Sequence, residues 1–581
     1  MAQIPTNTIK TKANIYQGFR GVDFFNETVQ TYRSPDCVNM WKNYTSSSKG
    51  VETRPGMTKL ASLGLEIFGL FFYEVGNEKQ VLVHYGTKLA KWNNFPEIPT
   101  QENLIEVFNG MNVRQSNGFV FNGILFIKDG INYIEYNGIT AQAVEGTIPV
   151  TTTLASPKGA GERLNAYNMI QPKRTNQFIG DGTSLVYYLD AQNIDSTPVV
   201  AIVDGTTLLE DVAFTVNRAE GTVTFNQAPS KQLDSDNNVS ITFAKTISGD
   251  ANKILKSTLV SIFDNRIFVS GNQDYPNALF WSELEDARYF GSDNWTAEGD
   301  MTPVKAIIQG YNELLVLKEP SQEGNSIISH TPTLDYEVGK VYPAVESNIS
   351  AGCVSTGINF RDDVCFLSRK GLESITGEIN QERLLTHRST MVDKKLITNI
   401  NYNKAKMVEY KGYLLVLVDS KVFLADSRAT FQDNQTEYEW FYWELPNNIT
   451  FIKENEDILY LGNANGNIYT LSGTTDDGVD INSKWSTPKD PFGYEAYRKT
   501  TNKGGCIVEV EPKENDSIKV EVRKDNGAPV EIGAFSDEKG YIVCKIKQKK
   551  WRQLQMIFSS NKPFSLVKAT MEVFIGGYIK R

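Results

Sequence analysis

The sequence predicts an all-β protein: a β-propeller of about seven blade-like units, with an inserted small β-sandwich and a C-terminal β-sandwich. Three observations carry that expectation. Short aromatic or β-branched runs of strand length alternate with Gly, Asn and Asp turns along most of the 581 residues. Helical periodicity is scarce. The strand-turn-strand units also recur at irregular spacing, and closing such units radially leaves few exposed strand edges. A string of β-sandwiches is the rival arrangement, because hairpin periodicity alone does not close a ring.

Residues 1–60 read as an N-terminal arm. Ser34-Pro35-Asp36-Cys37-Val38-Asn39-Met40-Trp41 leads through the polar spacer Thr45–Lys49 into Gly50-Val51-Glu52-Thr53-Arg54-Pro55-Gly56. Pro55-Gly56 sets a tight turn, since Pro fixes φ and Gly accepts φ > 0. Two extended, partly apolar segments joined by turns suit a capping element that supplies a missing strand to the last blade.

The first propeller part spans 61–172 and contains two meanders. In one, Phe68–Tyr73, Val81–Tyr85 and Leu89–Trp92 are separated by Gly76-Asn77 and Gly86-Thr87. In the other, Phe119–Phe121, Ile124–Ile127 and Tyr133–Tyr136 are separated by Asn122-Gly123 and Asp129-Gly130. Asn-Gly and Asp-Gly between such runs are strong hairpin signals, because type I′ turns need φ > 0 at both central residues. Residues 173–247 break the pattern with five short strands, among them Val186–Leu189, Thr222–Phe225 and Val239–Phe243, and read as a small sandwich inserted in a propeller loop.

The second propeller part, 248–486, resumes with Leu259–Phe263, Arg266–Val269 and Ala278–Trp281, and continues through units near 306–317, 357–375, 407–425 and 449–469. A Pro- and Asp-rich link, Pro488–Pro491, introduces residues 487–581, whose alternating strands at Cys506–Val510, Ser517–Val522, Tyr541–Ile546 and Leu566–Phe574 predict the C-terminal sandwich. Its basic run Lys545–Lys550 reads as a solvated strand end.

Composition narrows the function. A formal charge of −10 disfavours general duplex binding, since phosphate contact requires Lys/Arg patches. Like charge would instead let the chain surround DNA with little adhesion. Met1–Lys12 is polar and lacks the apolar segment of a secretory leader, and apolar runs such as Leu414–Val418 are strand-sized, so neither a secretory signal nor a membrane span is expected. Five scattered cysteines, Cys37, Cys353, Cys365, Cys506 and Cys544, show no metal-binding spacing and read as buried thiols of a chain made in a reducing cytoplasm.

Chemistry-bearing motifs are sparse. The three histidines, His84, His330 and His387, belong to no hydrolase or zinc signature, and the chain lacks a phosphate-binding Gly-x-x-x-x-Gly-Lys loop. Glu283, Glu285 and Asp286 beside Trp281 could form a sugar-hydrolysing carboxylate set, but acidic clusters on propeller loops are usually solvated. Asp234, Asp236 and Asn238 alternate as calcium ligands do without the Gly and terminal Glu of an EF-hand. Trp281, Trp295 and Trp440 could stack on sugars in a receptor-binding adhesin, the alternative reading, although such aromatics are more often core. No catalytic, cofactor-binding or metal residue is assigned, and the chain is expected not to be an enzyme.

Two composite motifs complete the pattern set by the opening arm. Phe263-Asp-Asn-Arg-Ile-Phe-Val269, Gly271-Asn272, Asp274-Tyr-Pro-Asn277 and Phe280-Trp-Ser282 form one; Gly352–Ser355, Phe366–Gly371 and Tyr438–Trp443 form the other. In their order over some 450 residues, these segments resemble phage tail nozzle, tail hub or packaged-DNA stabilisation proteins. The resemblance implies a virion protein made in the host cytoplasm and assembled as a homo-oligomeric, commonly sixfold ring. Such a ring would extend the tail channel below the portal or adaptor and retain packaged genomic DNA, passing through without sequence-specific binding, until ejection. On this reading, deletion of residues 1–60 would abolish ring formation before it affected the C-terminal sandwich.

Overall fold

A computed structural model of the chain describes residues 10–578 apart from 18, 26–32, 47–49, 98–102, 233–235, 322–324, 336–338, 348, 362, 380–381, 430–436, 502–504, 512–517, 533, 537–540 and 547. Strands dominate, accompanied by short helices such as Asp250–Leu255 and Asp393–Leu396. The chain divides into two compact units. One comprises residues 68–93 and 101–353; the other comprises 1–67, 94–100 and 354–581.

The first unit contains four-stranded antiparallel meanders at 67–109, 117–143, 259–297 and 304–346. Turn chemistry sets their hairpins: Asn122 and Gly123 sit at φ 48° and 75°, Asp264 and Asn265 at 51° and 54°. Both central residues are left-handed, as a type I′ turn demands, and Asn, Asp and Gly tolerate that region best. Successive meanders share cores. Leu82 and Leu89 pack with Leu125 and Ile134; Phe126 and Tyr133 pack with Ile267 and Phe280; Phe268 and Leu279 pack with Leu314 and Val316. The sheets in the middle of this series are therefore covered on both faces by their neighbours, which explains why a strand such as Ile124–Lys128 is buried almost end to end instead of alternating: Leu125 and Ile127 face one core and Phe126 the other.

Between the second and third meanders lies a pair of sheets with a core of its own. The six-stranded sheet runs, in spatial order, Glu162–Arg163, Val150–Ala155, Lys173–Phe178, Val239–Ala244, Val200–Val203 and Thr206–Leu209. The three-stranded sheet is Val186–Tyr188, Thr222–Phe225 and Phe214–Asn217. Tyr187 stands edge-on between Phe178 and Phe225, with ring centroids 5.3 and 5.2 Å away, and joins the two layers. The sheet begins at Val150, upstream of the boundary expected at 173, because Val150–Ala155 pairs in parallel with Lys173–Phe178. A parallel pair has no hairpin turn between its strands to announce it in sequence.

In the second unit, meanders occupy 357–387 and 406–444, and a third is formed by Ile449–Asn455, Ile458–Asn463 and Asn467–Leu471. Met57–Ser62 adds antiparallel to Asn467–Leu471 and gives that last sheet a fourth strand from the other end of the sequence. The C-terminal strands are not a separate body. Ser483–Ser486 lies before residue 487 yet pairs with Leu554–Ser560, and Ser565–Tyr578 pairs with both Lys10–Gln17 and Val51–Thr53. One apolar core accordingly runs from Trp41, Leu415 and Trp443 to Val520, Phe558 and Met571. Cys37, Cys353, Cys365 and Cys544 are buried thiols; the side chain of Cys506 lies outside the described residues. Burial raises the thiols of Cys365 and Cys544 to about 12, which keeps them protonated and unreactive at neutral pH. No helix among the described residues is long and apolar enough to cross a membrane.

Candidate functional site: the amino-terminal clasp

The opening motif folds into a clasp within the second unit. Met40–Trp41 pairs with Val51–Thr53 on one side and meets Tyr442 on the other. Cys37, Met40, Trp41, Val51 and Met57 are all buried. Trp41 lies 5.5 Å from Trp443 and 5.6 Å from Tyr413, ring centroid to centroid. Gly21 and Gly50 permit the close approach: a Cβ at Gly21 would fall 1.7 Å from the Trp440 carbonyl oxygen, and one at Gly50 would fall 2.0 Å from that of Leu566.

Two buried ion pairs lock the clasp. Arg33 meets Glu439 through Nε and Nη2 at 3.0 and 2.8 Å, while the Gly21 amide donates to the same carboxylate at 2.8 Å. Arg54 donates to both oxygens of Asp476, at 2.8 and 2.6 Å, and to the Asn39 side-chain oxygen at 3.0 Å. Asn39, held at φ 57°, accepts that bond and another from the Glu444 amide, and donates to the Asn482 carbonyl. The pairs span 406 and 422 residues, so no sequence spacing announces them. Beside the Arg54–Asp476 pair opens a groove of about 800 Å³, lined by Val38, Asn39, Arg54, Asp476, Lys484 and Lys519 among others. Its charges are neutralised in place: Lys484 pairs with Asp36 at 2.5 Å and Lys562 with Asp480 at 2.9 Å.

The histidines are bound into structural networks. Burial pushes His84 down to about 4; Nδ1 lies 2.8 Å from the Ser116 hydroxyl and Nε2 3.1 Å from the Gly86 carbonyl. Ser116 is itself buried, so this nucleophile-like pair has no exposed face. His330 and Glu298 form a fully buried pair 3.1 Å apart, in which the carboxylate raises the imidazole against the opposing effect of burial. His387 lies between Asp393 and Glu373, at 2.7 and 3.1 Å, and their hydrogen bonds raise it to about 10. Protonated on both nitrogens, its imidazolium bridges the two carboxylates as an ionic staple.

The acidic turn near Trp281 is equally committed. Glu283 takes Arg266 at 3.1 Å and Asn294 at 2.7 Å, and Asp286 accepts the Thr147 hydroxyl at 2.7 Å. Glu285 occupies a left-handed turn position at φ 56°. Of the tryptophans weighed as sugar platforms, Trp440 is fully buried and donates to the Arg388 carbonyl at 2.8 Å. Trp281 is half-buried against Phe268 and Tyr342; Trp295 is exposed and stacks on Phe280. The three do not form one platform. Asp234 lies outside the described residues, and Asn238 is engaged with Gly180, Asp204 and Ser230. No cluster of metal-ligating side chains occurs among the described residues.

No family model and no curated protein matches the chain. Among solved structures, it is similar to BamB from Moraxella catarrhalis, with 10% identity over 72% of this chain and 98% of that one at a TM-score of 0.34. The computationally designed Ika8 protein aligns at 12% identity over 72% and 100%, with a TM-score of 0.29. An exo-β-1,3-galactanase from Phanerochaete chrysosporium aligns at 9% identity over 55% and 95%, with a TM-score of 0.18. These likenesses assign the chain neither a family nor an activity.

Proposed function

We propose that the chain is a structural virion protein of a phage tail: one subunit of a homo-oligomeric ring that extends the DNA channel below the portal or adaptor and helps retain packaged DNA until ejection. In this reading the seven meanders are the blades of one propeller, closed by Met57–Ser62, with an inserted sandwich at 150–244 and a C-terminal sandwich. The observation that carries it is the clasp. The segment in which the sequence resembles tail proteins, Ser34–Gly56, is spent on tying the 406–444 meander to the C-terminal strands, with Arg54 and the preceding Arg33 paired in the interior. That is the construction of a rigid body meant to hold its shape under load. Propeller bodies would pack side by side, and acidic loops facing the bore would keep DNA transit weakly adhesive. Sedimentation and electron microscopy of the purified protein should give a closed ring, and particles lacking it should lose DNA. Strictly monomeric protein, together with infectious particles that keep their DNA without it, would overturn the proposal.

A further inference from the structure

Residues 487–581 carry 18 Lys/Arg against 12 Asp/Glu, a net +6 in a chain of net −10. The structure gathers much of this excess on connected elements. Lys549–Trp551 pairs with Tyr497–Thr500, which carries the exposed Arg498. The amides of Arg552 and Gln553 donate to Asp525, 2.9 and 3.1 Å away, and so bring in the turn that follows Lys524. Lys489 reaches that same turn through Asn526 at 3.0 Å. Among the described residues, none of Lys489, Arg498, Lys524, Lys549, Lys550 and Arg552 is held in an ion pair, whereas Lys484, Lys519 and Lys562 of the same region are.

The backbone is bent to present these charges. Lys550 sits at φ 57°, which breaks strand alternation, so Lys549, Lys550 and Arg552 are all exposed while Trp551 is buried. A lysine enters that region less readily than Gly or Asn would. Beneath them Lys499 is fully buried and donates to the carbonyls of Tyr494, Tyr497 and Arg552 at 2.5, 3.1 and 2.6 Å, pinning the two strands together. Among the described residues the acids nearby are few: Asp525 is occupied by the two amides, Asp490 is buried and accepts from the Phe492 amide, and Glu495 is exposed.

We propose that this basic face binds the phosphate backbone of nucleic acid without reading its sequence. Four lysines and two arginines, without an ion-pair partner or a large apolar centre among the described residues, suit a repeating array of single negative charges. Protein interfaces are depleted in lysine and built around buried aromatic anchors, so an acidic protein fits this face less well. The net charge of −10 conceals the patch, because residues 1–486 sum to −16. The inference goes beyond the ring proposal, and neither depends on the other.

Fluorescence anisotropy of the full chain with a random-sequence DNA duplex should show binding at 50 mM salt that weakens steeply towards 200 mM, with a log–log slope of about −0.9 per phosphate contact. The variant Lys549→Ala/Lys550→Ala/Arg552→Ala should lose affinity at least about tenfold and flatten the slope by about 2 to 3. Lys549→Arg/Lys550→Arg should bind like the native chain, and equal melting temperatures would show that all the proteins are folded. Absence of binding at low salt, or a triple variant that binds unchanged, would overturn the proposal. So would a native chain that self-associates through this face, seen as sedimentation changed by the triple variant while DNA binding is absent.

Discussion

At the residue scale, the clasp depends on ion pairs whose value lies in being complete. Arg54 is buried with Asp476, so removing one partner leaves an uncompensated interior charge. Arg54→Met should lower unfolding stability by about 3–5 kcal/mol, and adding Asp476→Leu should recover much of the loss, as measured by urea denaturation. An equal loss in the single and double variants would show that the guanidinium acts through Asn39 instead. His387 gives a pH signature of the opposite sense to a carboxylate. Its folded value, raised to about 10 by Asp393 and Glu373, lies above the ordinary 6.5, so the folded state holds a proton that the unfolded chain has lost. The stabilisation is therefore complete below about pH 6.5 and drains away as pH rises towards 10. Thermal melts should show this decline, and His387→Gln should flatten it; a parallel decline in the variant would assign the effect to other groups.

At the element scale, hairpins were legible in the sequence and long-range strand partners were not. Asn122-Gly123 adopts a left-handed turn where the sequence marks it, and Asp204-Gly205 and Lys411-Gly412 do the same, because such turns are specified by the residues that occupy them. The pairing of Lys10–Gln17 with Ser565–Tyr578 has no local signature, and neither does the meeting of Arg33 with Glu439. The basic face was half legible: Lys545–Lys550 stood out as a run, but the fold is what brings Lys489 and Lys524 to the neighbouring turn. These pairings change what the arm is expected to do. Deleting residues 1–60 strips Ser565–Tyr578 of two partners and removes Trp41 and Met57 from the shared core. The C-terminal strands should then unfold together with the last meander, so that loss of their structure accompanies any loss of ring formation. A narrower cut makes the same test: Gly50→Val would drive a side chain into the Leu566 backbone and should lower the melting temperature without touching any charge.

At the scale of the whole molecule, the two units differ in how they use the chain. The unit made of 68–93 and 101–353 draws its meanders, and the two sheets between them, from nearly continuous sequence, and its cores are filled by residues of the same stretch. The other unit joins 1–67 to 354–581, and its core includes Phe19, Trp41 and Met57 alongside Trp443 and Phe558. A fragment of residues 68–353 should therefore fold alone, giving a cooperative thermal transition and a structured near-ultraviolet circular dichroism spectrum. Residues 354–581 alone should not, since they lack the outer strand of the last meander and both arm strands beside Ser565–Tyr578, and the resulting bare edges invite aggregation. Supplying residues 1–67 as a separate chain should restore solubility to that fragment, because the clasp is held by strand pairing and by Arg33 and Arg54, not by any covalent link across the core. Independent folding of 354–581 would mean that the clasp closes a body already formed; rescue by 1–67 would mean that the two ends of the chain fold as one.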